Sequence, residues 1–158
     1  MSQVKTNVMR ILDTKKISYT IMNYDAKDGQ IDGISVAKKI GKEQEFVYKT
    51  LVTQSKDKTI FVFVIPVAEE LDLKKAAKVL GEKKIEMIAV HDIEKYTGYI
   101  RGGCSPIGMK KAYKTVIDKS ALQKKWIVIS GGKRGIQIEL SVDDLQKITE
   151  ASLEEIIK

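Results

Sequence analysis

The run IFVFVIPV, residues 60–67, is apolar at every position and rich in β-branched and aromatic side chains. A strand with one face in water would alternate. This one does not, so it reads as a central strand with cover on both faces. The pattern around it is mixed. Residues 17–21, 46–53, 85–90, 113–117, 126–130 and 136–140 read as further strands. Val4, Val8, Ile11 and Leu12 recur at helical spacing. SVAKKIG reads as a short helix capped by Ser35 and ended by Gly41. LDLKKAAKVLG reads as a helix with Asp72 as N-cap and Gly81 as its stop. DIEKYTG suggests one helical turn ending at Gly98. Ser141 with Asp144, and Ser152 with Glu155, repeat a capping-box pattern. Tight turns stand beside longer crossovers, and no linker, repeat or low-complexity tract interrupts them. The expectation is one α+β domain over residues 1–158, with a mixed, curved central sheet and surrounding helices.

Composition narrows the function classes. With 43% hydrophobic residues a core forms without staples, and the single cysteine excludes an internal disulfide. That cysteine count fits a reducing compartment. No apolar run approaches the roughly 20 residues of a membrane span, and MSQVKTNVMR lacks the apolar stretch of a signal peptide. A soluble, cytoplasmic protein with no membrane partner is expected. The net charge of +7 favours a polyanionic partner, the other reading being a lysine-rich surface that aids solubility. His91 and Cys104 are the only residues of their types, so no metal site and no cofactor is expected.

YIRGGCSPIG, residues 99–108, holds the cysteine, a serine and three glycines. It fails the nucleophile-elbow pattern, because Ile107 stands where the second glycine belongs. It fails the Walker pattern, because Met109 follows Gly108. His91, the one imidazole, sits in a polar segment and reads as a solvated loop residue. Cys104 reads as a small buried hydrophobe more readily than as a nucleophile. Two readings of the loop stay open from these residues alone: a glycine-rich turn, or a cradle of main-chain N–H groups aimed at an oxygen.

Six ordered segments narrow that choice: VYKTLV (47–52), LDLKKAAK (71–78), KKIEM (83–87), TGYIRGGCSPIG (97–108), KTVID (114–118) and SGGKRGIQIEL (130–140). Together they resemble the YbaK/EbsC family of aminoacyl-tRNA deacylases, relatives of prolyl-tRNA synthetase editing domains. The resemblance implies a trans-editing hydrolase that deacylates mischarged tRNA, in particular Cys-tRNA-Pro. It implies a functional lysine at Lys49, followed by Thr50, and a tyrosine of the first strand at Tyr24. It implies that amides of Gly102 and Gly103, in the loop through Cys104, Ser105 and Pro106, hold the aminoacyl carbonyl. A second glycine turn falls on Ser130, Gly131, Gly132 and Arg134, with Arg134 placed to contact phosphate. Two departures stand out: Cys104 replaces an aliphatic residue, and residues 28–36 align poorly.

The mechanism implied is substrate-assisted, with the cysteinyl thiol attacking its own carbonyl and Lys49 anchoring substrate rather than acting as a base. The alternatives are water-mediated deacylation of Ala-tRNA-Pro, and a non-catalytic module that holds tRNA or docks on prolyl-tRNA synthetase. The tRNA is expected to meet basic surface drawn from Lys74, Lys75, Lys78, Lys83, Lys84, Lys110, Lys111, Lys114, Lys133 and Arg134. Self-association is left undetermined.

Overall fold

The computed structural model describes residues 5–158, so the Val4 position of the first helix lies outside the described residues. The apolar run becomes β3 (Ile60–Pro66), buried along its whole length. It pairs antiparallel with β2 (Tyr48–Ser55), which pairs on its other edge with β4 (Ile85–Met87). On its second side β3 runs parallel to β5 (Lys114–Asp118), and β5 runs parallel to β8 (Ser152–Glu154). The mixed sheet therefore has the order β4-β2-β3-β5-β8, with β3 in the middle.

A second, antiparallel sheet joins it. β7 (Ile136–Ser141) lies between β1 (Tyr19–Asn23) and β6 (Trp126–Lys133). Helix α3 (Leu73–Leu80) seals one face of the mixed sheet, packing Ala76 and Ala77 against Phe61, Phe63 and Ile65. The opposite face carries Tyr48, Val64 and Ile117 into the main core. There they meet Ile127, Ile129 and Ile138 of the second sheet, with helices α1 (Asn7–Thr14) and α5 (Val142–Thr149) closing the edges. Helix α2 (Gly33–Ile40) covers the outer side of the second sheet, where Ala37 meets Val47 and Val128.

Local chemistry accounts for most element ends. Asp72 accepts hydrogen bonds from the N–H groups of Lys74 and Lys75, and Gly81 closes α3 in the left-handed region. Ser141 caps α5 through the Asp144 N–H. The single turn α4 (Ile93–Thr97) ends at Gly98.

Four expectations are corrected. The strand expected over residues 85–90 ends at Met87, and Val90–Asp92 form a 3-10 turn instead. Ser35 does not cap α2; Asp32 does, accepting from both the Ser35 N–H and its hydroxyl. A carboxylate three residues upstream is the stronger acceptor for that first turn. Ser152 and Glu155 open no helix, because residues 152–154 complete the mixed sheet beside β5 and the Ile156 N–H is tied to Asp118. β1 starts at Tyr19 rather than Ile17, since the Ile17 N–H still bonds to Leu12 at the end of α1.

Where the two sheets meet decides where a ligand can enter. Val47, just before β2, makes a parallel bridge to Val128 of β6. At its far end β2 pairs with β4, beginning at Thr53. Between these points the edge of β2 has no partner strand among the described residues, and the sheets diverge. The register fixes which main-chain groups face that gap. The Val67 N–H donates to the Val47 oxygen, so odd-numbered residues of β2 turn to β3 and even-numbered ones turn away. The N–H and C=O of Thr50 therefore point into the gap.

Candidate active site

The gap is a small cleft of about 100 Å³. Ile31, Gly33 and Val36 form one wall, the start of β2 and Val67 form the floor, and Gly102, Cys104, Ser130 and Gln137 close it. Five residues expected from the sequence converge here: Lys49, Thr50, Gly102, Cys104 and Ser130. Their elements explain the convergence. Thr50 stands on the free edge of β2, Ser130 stands within β6 where its pairing with β7 shifts register, and Gly102 and Cys104 bring the glycine loop to the same cleft.

The loop is held by close backbone packing. Gly102 has φ +87°, a conformation that favours glycine. A Cβ there would lie 2.6 Å from Ile31 and 3.1 Å from Arg134 Nε. A Cβ on Gly103 would lie 3.0 Å from the Arg134 nitrogen and 3.2 Å from Lys133 backbone atoms. The loop thus rests directly on the β6–β7 hairpin, and Arg134 Nε donates to the Arg101 carbonyl at 2.7 Å. The Gly103 N–H donates to Ile100 O at 2.9 Å. The Gly103 amide is therefore spent on the turn and is not a free donor, which corrects its expected role. Among the described residues the N–H groups of Gly102 and Cys104 have no hydrogen-bond partner.

Two buried side-chain oxygens lack partners among the described residues: Thr50 Oγ1 and Tyr24 Oη. An unsatisfied buried hydroxyl costs about 1–3 kcal/mol. Thr50 lines the cleft, so a bound ligand can satisfy it. Tyr24 is not among the lining residues; its N–H is bonded to Gly135 O and its ring lies 5.9 Å from Lys39 Nζ. Lys39 also holds the 25–30 loop through Asp25 O, Asp28 and Gln30 O.

Lys49 is half-buried, directly across from Ile65 and on the same face as Leu51, the face turned away from Thr50. Burial lowers its pKa, opposed by the charges of Glu70 and Glu69. Cys104 is packed among Val52, Ile60 and Ile88, and burial pushes its thiol up to about 11. It stays protonated at neutral pH and is a poor nucleophile.

The remaining expected residues lie elsewhere. Ser105 is fully buried, and its Oγ accepts from the Ile107 N–H. Pro106 lines a different cleft, beside Ile11 and Ile148. Gly131 is pressed against Ile136 and Ile138, and Gly132 faces Val8 and Tyr99. Ser105, Pro106, Gly131 and Gly132 therefore shape the loops rather than meet the cleft. Sequence reasoning missed Gln137, Ile31, Gly33 and Val36. Gln137 was legible in principle, as a polar residue inside the apolar alternation of IQIEL. The other three belong to residues 28–36, where no pattern pointed to a site.

No group of three or more metal-binding side chains occurs among the described residues, and none of their helices is long and apolar enough to cross a membrane. The exposed His91 is not among the residues lining the cleft.

Comparison with known proteins adds three findings. The family model for the aminoacyl-tRNA editing domain matches residues 32–148. A protein of Enterococcus faecalis named as the Cys-tRNA(Pro)/Cys-tRNA(Cys) deacylase EbsC is 44% identical over 155 residues, covering 98% of this chain and 94% of its own. Two crystal structures share the fold. One, described as a trans-editing enzyme for prolyl-tRNA synthetase, superposes with a TM-score of 0.84 at 19% identity, over 99% of each chain. The other, a hypothetical protein, gives 0.88 at 18% identity, over 97% of this chain and 100% of its own.

Proposed function

This chain belongs to the aminoacyl-tRNA editing domain family, and from that premise we propose that it is a deacylase that removes cysteine from mischarged tRNA-Pro. One observation carries the reading: the cleft offers binding groups without a nucleophile. Its cysteine is held protonated, its one lining serine, Ser130, is buried with its Oγ accepting from the Gly132 N–H, no imidazole lines it to activate either, and its free groups are main-chain N–H donors and an orphan hydroxyl. A site of that kind suits a substrate that supplies its own attacking atom.

The substrate bond is an ester between the amino acid and the terminal ribose. The cysteinyl sulfur attacks its own carbonyl carbon, forming a C–S bond. The C–O bond to ribose breaks, and the thiol proton passes to the leaving ribose oxygen. Water then opens the cyclic thioester to free cysteine. Tethering removes most of the entropy cost of the first step. The N–H groups of Gly102 and Cys104 are the available donors for the developing oxyanion. Loss of one such donor typically costs about 2.7–4 kcal/mol of transition-state stabilisation. Thr50 orients the aminoacyl group, and Lys49 supplies positive charge at the mouth of the cleft. The small volume favours a small side chain.

A deacylation panel tests the proposal. Purified protein is incubated with Cys-, Ala-, Ser- and Pro-tRNA, each on tRNA-Pro and on its cognate tRNA. Release of cysteine with no release of serine or alanine is expected. Equal release of alanine would point to an attacking water instead. Binding of every tRNA with no release above background would leave only a tRNA-holding module.

A further inference from the structure

The expected basic residues do not form one surface. Lys74, Lys75 and Lys78 lie on α3, Lys83 lines a separate cleft beside Lys56, and Lys133 and Arg134 sit on the hairpin. A distinct group forms at the end of the mixed sheet, where β3 begins and β5 enters. Lys58, Lys111 and Lys114 line an open cleft of about 390 Å³ together with Thr59, Tyr96 and Tyr113, and none of its lining residues is a carboxylate. Lys95 and Lys110 extend it. Lys95 Nζ lies 5.2 Å from the Tyr96 ring centroid, and Lys110 Nζ reaches the Lys95 carbonyl at 3.3 Å. Tyr113 donates its hydroxyl to the Tyr96 carbonyl at 2.7 Å, which ties the Tyr113 ring to the segment that carries Tyr96.

None of these five lysines takes part in an ion pair among the described residues. The acids adjacent in sequence are Asp57 and Glu94, and Glu150 lines the neighbouring cleft together with Lys111 and Lys114. Asp57 is occupied by the hydroxyls of Ser55 and Thr59. Five cations against three acids, on a floor that is half aromatic, form a net-basic surface complementary to a phosphodiester backbone.

The ridge is joined to the cleft. Tyr96, Tyr113, Met109 and Cys104 pack in one cluster on Val52 and Ile60, and Cys104 lines the active-site cleft. Lys114 is level with Phe61, which faces Thr53. That places it roughly 10 Å along the sheet from Thr50 and roughly 10 Å across two strand spacings. A short unpaired 3′ end spans such a gap, with its ester at the cleft and the first duplex phosphates at the ridge.

We infer that the Lys58, Lys95, Lys110, Lys111 and Lys114 ridge is the docking surface for the phosphate backbone of the tRNA acceptor arm. The inference rests on the deacylase reading for its choice of RNA, and its test does not require catalysis. Binding of uncharged tRNA-Pro transcript is measured by fluorescence anisotropy from 50 to 300 mM salt, for wild type, for Lys58→Ala/Lys111→Ala/Lys114→Ala, and for the control Lys74→Ala/Lys75→Ala/Lys78→Ala. Circular dichroism confirms that each variant is folded. The ridge variant is expected to bind at least about tenfold more weakly, with a log–log salt slope shallower by about 2–3, while the control is unchanged. Turnover of full Cys-tRNA is expected to show a raised KM at constant kcat, and turnover of cysteinyl adenosine no change. An unchanged slope in the ridge variant, or an equal loss in the control, overturns the inference. If no protein cleaves Cys-tRNA while the ridge variant alone loses tRNA binding, the deacylase reading fails and the docking surface stands.

Discussion

Thr50 carries an energetic cost in the free protein. Its hydroxyl oxygen is buried without a partner, at the one stretch of β2 that no strand covers. Thr50→Val keeps the shape and removes the orphan. The variant is expected to be as stable as wild type or more stable by about 1 kcal/mol, with deacylation reduced at least about tenfold. Thermal unfolding beside kcat/KM checks it, and a variant that loses stability but keeps activity contradicts the assignment. Cys104 makes the opposite case. Its thiol is raised from 9.0 to about 11 by burial, so the folded state retains the proton. The stability this gives is complete below pH 9.0 and is lost as pH rises through about 11. Native alkylation by iodoacetamide should stay slow near pH 8 and accelerate only toward pH 11. Cys104→Ala should retain deacylation; an inert, folded Cys104→Ala enzyme would contradict a substrate-supplied nucleophile.

At the scale of elements, the glycine loop works because it is welded to the β6–β7 hairpin. Gly103 contributes through its missing Cβ, since its N–H is already bonded. Gly103→Ala pushes the loop off the Lys133–Arg134 backbone. The expected outcome is a cost of about 1–3 kcal/mol in stability and roughly a hundredfold loss in kcat, the scale of a 1 Å misplacement. Retained kcat with lowered stability would make the contact merely architectural. Element ends were largely readable from single residues: Asp72, Gly81, Gly41, Gly98 and Ser141 all cap as expected. Capping is short-range chemistry, so three or four residues suffice to reveal it. The exceptions arise where a stronger local acceptor (Asp32) or a distant strand (β5 beside Ser152) competes for the same groups.

Over the whole molecule, stability rests on the strand that opened the sequence reading. Phe63 is fully buried between the sheet and α3. Phe63→Ala is expected to cost about 3–5 kcal/mol in urea unfolding, a large share of the roughly 5–15 kcal/mol typical of such a domain. A cost below about 1 kcal/mol would mean that α3 does not seal that face. The mixed sheet, its central strand and most helices were determined by sequence alone, because apolar periodicity and caps act over a few residues. The ordered segments likewise brought Lys49, Thr50, Gly102 and Ser130 to attention. The tertiary structure decided the rest: that a second sheet joins the first at the Val47–Val128 bridge, that their divergence opens the cleft, and that Gln137, Ile31, Gly33 and Val36 wall it while Ser105 and Pro106 turn elsewhere. It also sorted the lysines, separating an unpaired ridge from those on α3. Those outcomes depend on contacts between residues dozens of positions apart, and the free energy of such contacts exists only once the chain has closed on itself.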